Sequence, residues 1–254
     1  MEPILKVENL TKVFSRQGRE DFTAVKGISF DLLPGECLAI IGESGSGKTT
    51  AVNMISRLVD TTPGKITLDG RDITHLKGKG LCGVYNTMQM VFQTPTESFD
   101  PRRTLGDGIG ESLRNAGVSR KETRERVETL LEKCGLPREF ADRYPHQVSG
   151  GQCQRAAIAR ALAIEPKLLI CDEATSALDV TVQKEIIDLL KSLRARQGRN
   201  LSILFICHDI SLVQQFADRV LVMYHGDIVE QGTPDDVIRS PQNDYTKRLI
   251  DSIL

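Results

Sequence analysis

Gly42-Glu43-Ser44-Gly45-Ser46-Gly47-Lys48-Thr49 follows the apolar run Cys37-Leu38-Ala39-Ile40-Ile41 and opens onto Thr50-Ala51-Val52-Asn53-Met54-Ile55. The apolar run reads as a strand and the stretch after the loop as a helix, which is the context a phosphate-binding loop requires. Gly42, Gly45 and Gly47 let the backbone curl until consecutive N–H groups point at one anion, and the helix N-terminus adds its positive end. In such a loop Lys48 reaches the β- and γ-phosphates and the Thr49 hydroxyl holds Mg²⁺. The ligand class is a nucleoside triphosphate.

Working outward, the 254 residues suit one large domain or a core with an inserted lobe. Hydrophobic residues make up 40% and charged residues 26%, which is ordinary for a globular chain. The net charge of −1 gives no electrostatic case for nucleic-acid binding. No apolar run approaches the ~20 residues that span a bilayer, and the start, Met1-Glu2-Pro3-Ile4-Leu5-Lys6, lacks the pattern of a signal peptide. The six scattered cysteines read as reduced, mostly buried thiols. A cytosolic chain is expected.

Residues 4–7 and 24–30 read as short strands joined by a polar loop at 15–21, and residues 66–68 as a strand running into a hairpin turn at Asp69-Gly70. Met88-Gln89-Met90-Val91-Phe92 is a further strand ending at Gln93. From 104 to 143 the pattern turns helical, with Val127, Leu130, Leu131 and Cys134 at helical spacing. Strands at 167–171 and 201–207 then alternate with helices from 156 and at 182–196, which implies a largely parallel sheet covered on both faces.

Leu168-Leu169-Ile170-Cys171-Asp172-Glu173 is an apolar strand that ends in two acids. Ligands of such sheets bind at the carboxyl ends of buried parallel strands. Asp172 is placed to hold Mg²⁺, and Glu173, one position on, to polarise an attacking water. Ser149-Gly150-Gly151-Gln152 stands before a helical run from Cys153, where Ser149 can cap the helix and the glycines admit a second anion.

This last segment resembles the signature motif of the ATP-binding-cassette ATPases, with Val148 where leucine is more usual, and the resemblance extends over nearly the whole chain. It implies an α/β fold: a P-loop NTPase core with a largely parallel sheet, an N-terminal antiparallel β-subdomain and an inserted helical subdomain. The implied organisation is one domain, with the core at 1–93 and 156–232, the helical signature subdomain at 94–155 and a helical tail at 233–254. The resemblance implies a head-to-tail dimer enclosing two ATP molecules, in which Ser149, Gly150, Gly151 and Gln152 contact the partner's γ-phosphate. Gln93 matches a glutamine that touches Mg²⁺ and moves with the helical lobe. His208, after the apolar strand, matches a switch histidine that contacts the γ-phosphate and holds Glu173. Ser176-Ala177-Leu178-Asp179 matches a loop crossing the dimer interface, and Asp179 suits equally the N-cap of the next helix. Phe14 aligns with the aromatic that stacks on adenine.

Phe92-Gln93-Thr94-Pro95, Ser98-Phe99-Asp100-Pro101-Arg102 and, near the end, Pro241, Tyr245 and Thr246 look like the oligopeptide, dipeptide and nickel importer branch. Asn243-Asp244 replaces the His-Pro usual there. The resemblance implies an Mg-dependent ATPase at the cytoplasmic face of the membrane. Its partners would be two permease subunits, a second ATPase (another copy or a sister chain) and, indirectly, an extracytoplasmic substrate-binding protein, with no nucleic acid. The alternative is a soluble ATPase of the translation or DNA-repair type. Such proteins usually carry two cassettes or a long coiled coil, neither of which is present.

Overall fold

The structure is a computed structural model describing residues 2–15, 20–94, 96–173, 179–196 and 201–252. Two strands open the chain, β1 (Leu5–Phe14) and β2 (Phe22–Leu32), paired antiparallel. At ten and eleven residues they are longer than the short strands expected from alternation. A bulge hides their length. Asn9 sits at φ 50°, the register shifts between Val7 and Leu10, and a Cβ on Gly27 would meet Asn9 Oδ1 at 2.6 Å. The extra residue reverses the in–out parity on one side of the bulge, so no single alternating pattern spans the strand.

β3 (Cys37–Ile41) runs through the loop at 42–47 into α1 (Lys48–Ile55). The expected hairpin joins β4 (Lys65–Leu68) to β5 (Arg71–Asp72), with Asp69 and Gly70 both at positive φ. α2 (Leu81–Thr87), which no clear periodicity announces, leads into β6 (Met88–Val91). The helical stretch resolves into α3 (Leu105–Ile109), α4 (Glu111–Asn115) and α5 (Arg120–Lys133). α6 (Gly150–Leu162) runs unbroken through position 156, so lobe and core share that helix. Then come β7 (Leu168–Asp172), α7 (Val180–Arg196), β8 (Ser202–Ile206), α8 (Ile210–Phe216), β9 (Arg219–Tyr224), β10 (Asp227–Gly232), α9 (Pro234–Arg239) and α10 (Asp244–Asp251).

One sheet, ordered β2-β1-β4-β5, is antiparallel throughout. The other is ordered β10-β9-β3-β8-β7-β6; its pairs are parallel except at the β10 edge. This is the largely parallel core, antiparallel N-terminal sheet and helical lobe that the family resemblance implies.

The six-stranded sheet divides the interior in two. Ala39, Ile41, Leu169, Cys171, Ile203 and Phe205 face one core, which also takes in Leu105, Val127, Leu131 and Cys134 of the lobe. Leu38, Ile40, Leu168, Ile170, Leu204 and Ile206 face the other, with Val52 and Ile55 of α1 and Val7 and Val25 of the antiparallel sheet. Both faces are covered, so β3, β7 and β8 are buried at every position. Cys37, Cys134, Cys153, Cys171 and Cys207 are buried and Cys82 is exposed. No described helix is long and apolar enough to cross a membrane.

Candidate functional site

Sheet order brings the expected residues to one edge. In the sequence β3-β8-β7-β6 the strands are parallel neighbours, so their carboxyl ends lie side by side. β3 delivers the loop from Gly42, β8 leads to His208, β7 ends at Asp172 and Glu173, and β6 leads to Gln93. In register, Ile40 pairs with Ile206, Asp172 with Ile206 and Val91 with Cys171, so the four exits are level. Residues scattered from 42 to 208 therefore meet at the carboxyl edge of the sheet, the place where open α/β sheets bind ligands.

The loop is held by close backbone approaches. Gly42 has φ 148° and a Cβ there would lie 2.1 Å from the Met223 carbonyl oxygen. Gly47 has φ 106° and a Cβ would lie 2.5 Å from the Ala24 carbonyl oxygen. Gly226 N–H donates to the Ser46 carbonyl at 2.9 Å. Only glycine fits at 42 and 47, because a side chain would be strained and would strike backbone. Glu43, Ser44, Gly45 and Thr49 are exposed on the loop, Thr50 is partly covered, and Ser46 and Lys48 are buried.

Lys48 Nζ donates to the carbonyls of Gly42 at 2.7 Å and Glu43 at 2.8 Å. Burial pulls its pKa down, opposed by Glu173, Asp172, Cys207 and Glu43. Asp172 shows the opposite effect. Burial and then the neighbouring Glu173 push its carboxyl up to about 6, against the pull of Lys48. Its Oδ1 is buried with no hydrogen-bond partner. A desolvated, unpaired carboxylate oxygen calls for a cation. Among the described residues no three His, Cys, Asp or Glu side chains converge into a metal cage. That donor set fits Mg²⁺, which takes one or two protein oxygens and completes its shell with phosphates and water.

Glu173 sits at φ 46°, a strained value for a non-glycine residue, while its N–H donates to the Ile206 carbonyl at 3.1 Å. That turn takes the side chain off the line of β7. Glu173 Oε1 lies 3.7 Å from Nδ1 of His208. The exit from β8 is fixed by Asp209, whose carboxylate caps α8 by accepting from Ser211 N–H at 2.8 Å.

Phe14 is 40% exposed at the end of β1 and pairs with Phe22, two residues from the Ala24 carbonyl that abuts Gly47. A partly exposed aromatic ring, with Lys12 Nζ 5.1 Å from its centroid, thus stands on the strand pair that flanks the loop. Ser149 caps α6, accepting from Gln152 N–H at 3.3 Å, while Gln152 Oε1 accepts from Ser149 N–H at 2.9 Å. Gly151 packs against Val182, where a Cβ would fall 2.5 Å from a methyl. No hydrogen bond among the described residues joins Ser149, Gly150, Gly151 or Gln152 to residues 42–50. Asp179 caps α7 by accepting from Val182 N–H at 3.0 Å. Ser176, Ala177 and Leu178 lie outside the described residues.

Two residues that sequence reading did not assign bear on this edge. The Arg160 guanidinium stacks over Phe99 at 4.5 Å and donates to the Ser98 carbonyl, tying the segment after Gln93 to α6. Tyr245 on α10 reaches the phosphate loop, and its hydroxyl accepts from Glu43 N–H at 2.9 Å. No local pattern signals a contact between positions 202 residues apart.

The chain matches the family described as "ABC transporter" over residues 25–176. It is 46% identical over 232 residues to the oligopeptide transport ATP-binding protein OppF of Salmonella typhimurium, covering 91% of this chain and 69% of that protein. It is also 46% identical over 259 residues to the glutathione import ATP-binding protein GsiA of Pectobacterium atrosepticum, covering 99% of this chain and 41% of that longer protein. The fold superposes on the dimeric, post-hydrolysis ATP-binding cassette MJ0796 bound to ADP and Pi at a TM-score of 0.82, with 31% identity and coverage of 91% and 98%. It matches cbiO1 from Clostridium perfringens, part of the ABC transporter complex cbiONQ, at 0.83, with 32% identity and coverage of 94% and 92%.

Proposed function

The chain belongs to the ABC transporter family as an ATP-binding, ATP-hydrolysing cassette, and from that premise we propose that it powers import of peptides through membrane permeases. The observation that carries this reading is the shared strand edge, where the loop after β3 meets Asp172 and Glu173 of β7. The peptide class is favoured by relatives whose names refer to oligopeptide transport and glutathione import. Those relatives also favour transport over the translation or repair alternative. Nickel, which the importer branch that the sequence resembles also includes, has no counterpart among those names.

In this reading Lys48 and the loop N–H groups that lead into the N-terminus of α1 hold the phosphates, with Glu43 N–H kept by Tyr245, and Phe14 stacks on adenine. Lys48 is steadied by its two loop carbonyls and gives its third N–H, now 3.5 Å from Ser46 Oγ, to a phosphate oxygen. Asp172 and the Thr49 hydroxyl, with Gln93 beside them, would hold Mg²⁺, which supplies charge neutralisation of the β- and γ-oxygens. Glu173 polarises the attacking water, and His208, 3.7 Å away, orients its carboxylate. Ser149, Gly150, Gly151 and Gln152 face the γ-phosphate of a second cassette, and Asp179 stands at the same interface. A site lacking those residues from its own chain has to borrow them.

Permease coupling is read from a groove beside Gln93. Leu58, Tyr85 and Phe92 are exposed there, above Met88, Met90 and Arg160. An exposed apolar patch edged by Ser56, Gln89 and Ser98 suits a helix end of a partner at the cytoplasmic face. The Arg160 tether would carry movement of that segment to α6 and the Ser149 segment.

The test is Glu173→Gln in the full chain. ATP affinity should stay within about twofold of wild type while turnover falls at least 100-fold, as loss of general-base action does. Wild-type turnover would remove Glu173 from the role. Copurification from gently solubilised membranes tests transport: permease subunits are expected, and recovery free of any membrane partner would overturn it.

A further inference from the structure

The peptide plane between Gly42 and Glu43 is gripped on both edges. Its carbonyl oxygen accepts from Lys48 Nζ at 2.7 Å, and its N–H donates to the Tyr245 hydroxyl at 2.9 Å. In a trans peptide these two groups point in opposite directions, so fixing the N–H fixes the direction in which the carbonyl meets Lys48. The next carbonyl, Glu43's, takes a second bond from Lys48 at 2.8 Å. The tyrosine and the phosphate-reaching lysine are therefore coupled through one rigid unit.

The tyrosine is itself held in place. Its ring stacks on Tyr224, centroids 3.9 Å apart and planes at 26°, and Tyr224 ends β9, the strand whose Met223 carbonyl abuts Gly42. Leu249 and Ile250 bury the inner face of α10, and Asn243 caps it by accepting from Tyr245 N–H at 2.8 Å. The Glu230 carboxylate on β10 accepts from the N–H groups of Gln242 at 2.8 Å and Asn243 at 3.1 Å, anchoring the entry to the helix. A hydroxyl on a packed, capped and anchored helix is a pre-organised acceptor.

We infer that Tyr245 is a positioning residue for ATP: its hydroxyl sets the Gly42–Glu43 peptide plane and, through it, the place from which Lys48 engages the phosphates. The inference rests on the reading of residues 42–50 as the phosphate site. It gives α10 a part in nucleotide affinity that is exerted through the loop backbone.

Tyr245→Phe in the full chain keeps the ring and its stack and removes only the acceptor. Losing one such hydrogen bond corresponds to about fivefold. The KM for ATP and the Kd for ADP should both rise by about that factor, with kcat at saturating ATP within twofold of wild type. Amide exchange at Glu43 should accelerate by a similar factor, a readout that needs no turnover. A purely structural role would lower the fraction of active protein and leave the KM of the remainder unchanged. Wild-type KM with unchanged exchange at Glu43 would overturn the inference. Should the variant fold poorly, exchange in the wild-type chain decides instead: a Glu43 amide as fast as those of exposed Ser44 and Gly45 also overturns it. Failure of the wild-type chain to bind ADP at all would sink the phosphate-site reading itself.

Discussion

Replacing Asp172 with asparagine should make the nucleotide-free protein more stable, although it removes a residue proposed to hold Mg²⁺. The carboxyl is pushed from 3.8 to about 6, by burial first and by Glu173 second, and its Oδ1 has no partner. At about 1.4 kcal/mol per pH unit, ionised Asp172 costs folding on the order of 3 kcal/mol. The asparagine amide is also buried without full hydrogen bonding, which returns about 1 kcal/mol of that. A net gain of about 2 kcal/mol in a domain of this size raises the melting midpoint by about 5 °C. The sign with pH follows from linkage. The folded pKa exceeds the unfolded one, so the folded state binds more protons between about pH 4 and 6, and this residue's penalty grows as pH rises through that window. Asparagine has no such dependence. Thermal melts of both proteins with chelator should therefore differ by about 5 °C at pH 8 and hardly at all near pH 4.5. With Mg²⁺ and ATP added at pH 8, the wild type should gain the more. No gain at pH 8, or an equal gain at both pH values, would refute the account of Asp172 as an uncompensated buried charge.

Two further outcomes are expected. Because Ser149 caps its own helix and makes no hydrogen bond to residues 42–50 among the described residues, ATP turnover per chain should fall on dilution; a rate independent of concentration from nanomolar to micromolar would count against a borrowed signature. Gly42→Ala should destabilise the fold by about 3 kcal/mol or more and abolish ADP binding, since the new methyl would sit 2.1 Å from the Met223 carbonyl. A well-folded, nucleotide-binding alanine variant would show that β9 yields more readily than the packing suggests.

What was legible in the sequence was whatever short range dictates. β3, β7 and β8 are unbroken apolar runs because both faces are covered, and the residues just beyond them announce their chemistry by type and order. The caps at Ser149 and Asp179 follow from side-chain reach over three residues. The losses have physical causes. The Asn9 bulge broke the alternation that would have shown β1 at full length. α2 carries Gly83 inside it and buries only Val84, so it has no apolar stripe to read. The Arg160 tether and the Tyr245 hydroxyl act across 62 and 202 residues, distances over which only the folded chain brings partners together.

The sulfur atoms give the molecule a chemical clock. Burial pushes the thiols of Cys134, Cys171 and Cys207 up to about 12 and that of Cys153 to about 11, so at neutral pH these buried thiols carry almost no thiolate. Cys82 alone is open. A maleimide should thus consume one equivalent quickly and the others only as fast as the chain opens. Because Cys171 and Cys207 stand immediately before Asp172 and His208, the order in which they react would time the parting of β7 from β8 against that of the lobe, where Cys134 lies. The native cysteines would report those motions without any added probe site.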